Sequence, residues 1–171
     1  DGGAGGDNTS LANGSNVNFA ITNSDLIDGL SFGFGAGASE YDDTAVVGME
    51  DGSSVVGFAN YTMGSITAGV TLSDSNNARS ATGANDGGRE VEAYGVAFAI
   101  NENLSISYNQ HNMTYKKVGA GPDVEQESTG IAIAYTMGGA TLAIQNNSQD
   151  NQSGTAGTND EITEISLSLA F

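Results

Sequence analysis

Apolar side chains in this chain recur at every second position, in one stretch after another. Val17, Phe19 and Ile21 alternate with Asn18, Ala20 and Thr22, and Leu30, Phe32 and Phe34 with Ser31, Gly33 and Gly35. The same pattern returns at Ile66 to Leu72, Tyr94 to Ile100, Leu104 to Tyr108, Ile131 to Met137, Ala140 to Ile144 and Ile165 to Phe171. A repeat of two puts successive side chains on opposite faces of a strand. A helix needs apolar residues at i, i+3, i+4 and i+7, and no window sustains that spacing. One stretch, 55–63, is less clean, because Val56 and Phe58 share a side with Asn60 and Thr62. A bulge there would reconcile it. The chain reads as all-β, with about nine strands.

The connections are of two kinds, and they alternate. Gly64-Ser65, Asn101-Glu102-Asn103 and Gly138-Gly139 are short, and 23–28 is somewhat longer. Roughly 37–52, 74–89, 112–126 and 148–160 are long, polar and acidic. A sandwich has no reason to follow that rule, whereas an up-and-down meander across a membrane does, with tight turns on one side and long loops on the other. Tyr61-Thr62-Met63-Gly64-Ser65 is echoed by Tyr135-Thr136-Met137-Gly138-Gly139. Either a hairpin turn is reused, or Tyr61 and Tyr135 form part of an aromatic girdle at the turn end.

Composition narrows the class further. Four basic residues face 21 acidic ones, a formal net charge of −17, which argues against nucleic acid and anionic membrane surfaces as partners. Such acidity accompanies disorder in some chains, but 38% hydrophobic residues in a regular pattern argue for folding. A chain of 171 residues is long enough for one domain with a sizeable buried area. With no cysteine there is no disulfide or thiolate metal site. The chain does not start with Met, which suggests a processed product or a fragment. No apolar run approaches the length of a spanning helix, but a membrane strand needs only about 9–11 alternating residues. The side opposite the apolar stripe carries Gly, Ala, Ser, Thr, Asn and Gln, with Glu164 as its charge. A solvated sandwich face would carry Lys and Glu instead.

The terminal EISLSLAF, the YTMGG-ATLAI hairpin, and the GVAFAINENLSISYNQ hairpin with its acidic Asn/Gly-rich loops resemble a Gram-negative outer-membrane general porin of the alphaproteobacterial type. The resemblance covers roughly 15–171. It implies an antiparallel up-and-down transmembrane β-barrel of about sixteen strands, of which this chain would supply the C-terminal half. Residues 1–14 would be the remnant of an extracellular loop or a flexible N-terminal segment. Ile165, Leu167, Leu169 and Phe171 would form the assembly signal, with Phe171 also an interfacial anchor in the girdle. Asn18, Thr67, Thr71, Ser105, Ser107, Asn109, Thr141, Gln145, Glu164, Ser166 and Ser168 would line a water-filled channel for small hydrophilic solutes, cation-preferring because of its acidic mouth. The implied partners are outer-membrane lipid, lipopolysaccharide, the barrel assembly machinery and two further copies in a trimer.

Two other readings stand beside it. Dropping 17–22 from the sheet leaves eight strands, enough for a small closed barrel without a wide pore. A secreted or surface-attached all-β adhesin or filament subunit would share the acidic, cysteine-free composition. An enzyme is not expected: His111 is the one histidine, and no nucleophile and base stand in a recognisable arrangement. No cofactor is expected either. GGAGGD, ending at Asp7, matches one unit of a calcium-binding repeat that needs tandem copies. The carboxylates Asp42, Asp43, Glu50, Asp51, Asp74, Asp86, Asp123, Glu125, Glu127, Asp150, Asp160 and Glu161 read as loop charges, a few of which could bridge Ca2+ or Mg2+. Lys116-Lys117 and Arg79 could pair with lipid phosphates or with neighbouring acids.

Overall fold

A computed structural model describes residues 13–41, 51–76, 87–118 and 121–170. They form nine strands and one short 3-10 turn: β1 Asn13–Asn23, β2 Leu30–Tyr41, β3 Gly52–Met63, β4 Ile66–Asn76, β5 Gly88–Ala99, β6 Leu104–Lys116, β7 Val124–Met137, β8 Ala140–Asp150, the turn Gln152–Gly154, and β9 Asp160–Leu169. Every strand pairs with its neighbour in the chain, antiparallel, in the order β1 to β9. The expected all-β meander is therefore present, with β1 as a full member.

The sheet is open. β1 pairs with β2 alone and β9 with β8 alone among the described residues. These nine strands do not close into a barrel. The eight-stranded closed alternative is overturned, because β2 is flanked on both sides, by β1 and β3. The described residues form no sizeable core either. Tyr115 is the one buried hydrophobic residue among those described, since a single layer has nothing to cover its apolar face.

Local chemistry fixes the hairpins. In the two-residue turns Gly64 and Gly138 hold φ of +60° and +59° at the first central position, a backbone open to glycine without a Cβ penalty. Thr62 and Thr67 share a 3.0 Å hydroxyl hydrogen bond beside the first turn, and Thr136 and Thr141 repeat it beside the second. The sequence echo is thus a repeated piece of structure. In the longer connections Asn23 and Asn101 each accept two backbone N–H groups through the side-chain oxygen, closing the chain back on itself.

Two expectations are corrected. β3 carries no bulge: its ladders to β2 and β4 run unbroken, and the one irregularity lies in β1, between Asn13 and Ser15. Phe58 and Val56 stay on the polar face because β2 offers no side chain opposite them. A Cβ on Gly33 would fall 2.5 Å from the Phe58 ring, and one on Gly35 would fall 3.4 Å from Val56. The strands also extend past the apolar pattern at the loop end. Asp74, Glu125, Glu127, Asp150, Asp160 and Glu161 lie in strands rather than loops, Arg89 lies within β5 and Lys116 ends β6. Polar side chains do not stop a backbone ladder, since the N–H and C=O groups still need partners.

Candidate functional site

The sheet has two unlike faces, and the register assigns every described strand residue to one of them. Asn18, Thr67, Thr71, Ser105, Ser107, Asn109, Thr141, Gln145, Glu164, Ser166 and Ser168 all fall on the same face. Glycines there leave room for amides to lie flat along the sheet. Asn60 lies across Gly69, and Asn109 and Asn147 lie across Gly130, where a Cβ would stand 2.9 and 2.8 Å from their oxygens. Gln145 donates to the carboxylate of Glu164. The result is a wall of amides, hydroxyls and small residues, with a shallow groove bordered by Asn60, Thr67, Thr71, Asn109 and His111. Water and polar solutes meet many weak donors and acceptors on it and no deep pocket.

His111, which falls just short of the long loop in the sequence pattern (roughly 112–126), is not at a strand–loop junction. It sits within β6 on the polar face, half-buried, across from Ala93 and Ser128, and among the described residues it makes no side-chain hydrogen bond. Glu164 is not the only charge on this face, for Arg89 and Asp160 share it. No group of three or more His, Asp or Glu residues is placed to hold a metal among the described residues. Asp7, Asp42, Asp43, Glu50, Arg79 and Asp86 lie outside them. Asp51 lies outside the strands, and Asp123 accepts the backbone N–H of Lys117 at 2.9 Å.

The opposite face is apolar and exposed. Phe19, Ile66, Val96, Ile131, Leu142, Ile165 and Leu167 all lie at 43 to 71% exposure. A bare apolar face of this extent needs lipid or a partner. One ladder row, Met63–Ile66–Phe98–Ile106–Ile133–Ile144–Ile165, is apolar from β3 to β9. The border where this face turns polar is not parallel to that row. Counted up the ladder from it, the last apolar residue stands ten places up at Val17 and Ala38, eight at Val55 and six at Leu72. It stands four places up at Tyr94, two at Tyr108 and Ile131, and level at Ile144 and Ile165. The border thus falls about 34 Å along the strands while crossing about 38 Å of sheet, a slope of roughly 40°. The turns follow the same slope. Leu30, Met63, Leu104 and Met137 mark successive short connections, each two places below the last.

Tyrosines mark both borders. Tyr61 and Tyr135 stand near the turn end of the apolar face, each 44% exposed and each in the second-last place of its strand on that face. Tyr94 and Tyr108 stand at the upper border, and the Tyr108 hydroxyl donates to Gln110 at 3.0 Å just above it. Sequence reading missed this upper pair, because the border is visible only once the register aligns neighbouring strands. Above it, the same face carries Asp74, Glu90, Glu92, Glu125, Glu127 and Asp150. Lys116 pairs there with Asp74 and stands 3.9 Å from Glu90. Ile165, Leu167 and Leu169 lie on the apolar face of β9, and Phe171 lies outside the described residues.

At the loop end of the polar face, four elements meet. The Arg89 guanidinium lies 5.2 Å over the Tyr115 ring, the Tyr115 hydroxyl donates to Gln126 Oε1 at 3.3 Å, and Ser153 N–H donates to the same oxygen at 2.8 Å. Gln126 is the one buried polar side chain among the described residues. Asn151 and Ser153 hold left-handed φ of 54° and 56°, a conformation costing of order 1 kcal/mol or more per residue away from glycine.

Comparison of the sequence with models of known protein families and with curated proteins found no match.

Proposed function

We propose that this sheet is membrane wall: part of an outer-membrane β-barrel through which small hydrophilic solutes diffuse passively. The observation that carries this reading is the oblique apolar band. If the band lies flat in a bilayer, the strands tilt roughly 40° from the membrane normal, within the range of about 35–45° of strands that close into barrels. On β2 the band runs from Leu30 to Ala38, about 27 Å along the strand, which at that tilt spans about 21 Å of the membrane normal, near the height of about 25 Å of a barrel's lipid-facing belt. Tyrosines at both borders and carboxylates above the upper one suit an interface followed by headgroups and water. The polar face, on this reading, is the lumen.

Strand parity supports completion by further strands. In a nine-strand meander β1 and β9 run in the same direction, so joining them directly would insert one parallel pair. An all-antiparallel ring needs an odd number of additional strands between them. Open edges inside hydrocarbon would leave backbone groups unpaired, which lipid does not allow. The porin resemblance adds three copies, lipopolysaccharide and the assembly machinery to the same reading. Cation preference rests on Asp160 and Glu164 against Arg89 on the lumen face, together with the chain's net charge of −17.

The chain has no cysteine, so single cysteines report cleanly. In lipid vesicles, Thr71→Cys is expected to react with a membrane-impermeant thiol reagent, and its neighbour Val70→Cys to be protected. Equal reactivity at the two positions would sink the reading. Planar-bilayer currents carried mainly by cations are the expected companion result.

A further inference from the structure

We propose that the connection between β8 and β9 is a fixed sill on the lumen side of the channel mouth, and that Gln126 and Tyr115 are the residues that position it. The inference rests on the channel reading above. Most of the polar face is thin, floored by Gly69, Gly95, Ala97, Ser107 and Gly130. At the mouth it is not. Gln126 and Tyr115 are the only buried polar and buried hydrophobic side chains among the described residues, and they touch each other there. The connection does not continue outward along β8. Asn151 Nδ2 donates to the carbonyl oxygen of Glu125 at 2.8 Å, beyond the end of β8, and Ser153 N–H reaches Gln126 on the polar face. Gly154 is buried. Within the connection, Asn151 Oδ1 accepts Gly157 N–H and Thr158 O accepts Gln152 N–H, so it is a closed unit that docks as one piece. The left-handed backbone at Asn151 and Ser153 is what a chain adopts when such contacts overrule its local preference. Gln126 Oε1 takes two donors while its Nε2 donates to Ser128, so one side chain ties β6, β7 and the connection together.

The test is single-channel conductance of the full protein in planar bilayers, with polyethylene glycols of graded size as the probe of width. Gln126→Leu, which removes the acceptor, is expected to raise conductance about 1.5-fold and admit a larger glycol. Replacing 152–158 by two glycines is expected to do the same. In the double variant the two effects should not add, because Gln126 acts through the connection. Tyr115→Phe, a gentler change, should give a smaller shift in the same direction. Full additivity, or unchanged conductance in both the Gln126→Leu and the shortened forms, would overturn the sill. Absence of conductance in the unaltered protein would overturn the channel reading itself, and the sill with it.

Discussion

The turn end and the loop end of this sheet follow different rules. At the turn end, side chains are sorted by one criterion, apolar to one face and small or polar to the other, with Val56 and Phe58 as the exceptions, and two of the hairpins repeat one another. At the loop end the ladder goes on but the sorting stops. Asp74, Glu90 and Glu127 share the face that lower down carries Ile66, Phe98 and Ile133, while Tyr115, Met113 and Val91 stand on the polar face. Two of the cations at the loop end show the change most plainly. Lys116 lies among carboxylates on one face, and Arg89 stacks on a tyrosine on the other. The backbone's need for hydrogen bonds is the same at both ends. On the membrane reading proposed above, what differs is the solvent each end is built for: hydrocarbon against one face at the turn end, water on both faces at the loop end.

The sharpest way to break this contrast is a charge on the apolar face at two heights. Ile133→Arg, within the band, is expected to destabilise the reconstituted protein by about 2–4 kcal/mol, while Glu127→Arg, on the same face and strand but above the band, should cost about 0–1 kcal/mol. Urea unfolding from lipid vesicles measures both, and equal losses would erase the distinction between the ends. A smaller effect is expected from filling the space beneath an aromatic on the polar face. Gly33→Val would press on Phe58, at a cost of about 1–3 kcal/mol that Phe58→Ala in the same chain should partly relieve. The smallest concerns the ion pairs above the band. Lys116 and Asp74 are 31% and 47% exposed, so Lys116→Met should cost no more than about 1 kcal/mol and lose that effect in high salt. A larger, salt-independent loss would mean that the loop end relies on packing after all.

These two ends also explain what the sequence disclosed. The strands, the short turns and the membership of each face were legible because period-two alternation is a direct image of a one-sided apolar environment. The eleven polar-face positions share one face for that reason. The upper reaches of β6 and β7 were not legible. Asn112, Thr114, Glu125 and Glu127 lie on the face that is apolar lower down, while Met113, Tyr115 and Val124 lie on the other, so the alternation inverts there and no longer marks the same faces. Phe58 and Val56 suggested a bulge because the glycines that accommodate them lie on another strand. The cluster at Gln126 depends on a contact between residues 126 and 153, which no local pattern announces. A hint was present in Val91, Met113 and Tyr115, apolar residues out of step with the lower parts of their own strands.

The stagger of the turns has a consequence for how errors are excluded during folding. Each short connection sits two places below the one before it, through hairpins whose length is set by Gly64 and Gly138. A slip of one residue in any hairpin would turn the following strand inside out and be rejected at once. A slip of two would keep every side chain on its proper face, so alternation alone cannot detect it. It would, however, displace every later strand by about 7 Å in the same direction. On the membrane reading, Tyr135 of β7 would then leave the sloping border it shares with Tyr61 of β3, and charged residues would be drawn toward hydrocarbon across several strands together. A fault too subtle for one hairpin to reject becomes a cost shared by the whole sheet, and the tight turns act as rulers that keep it from arising.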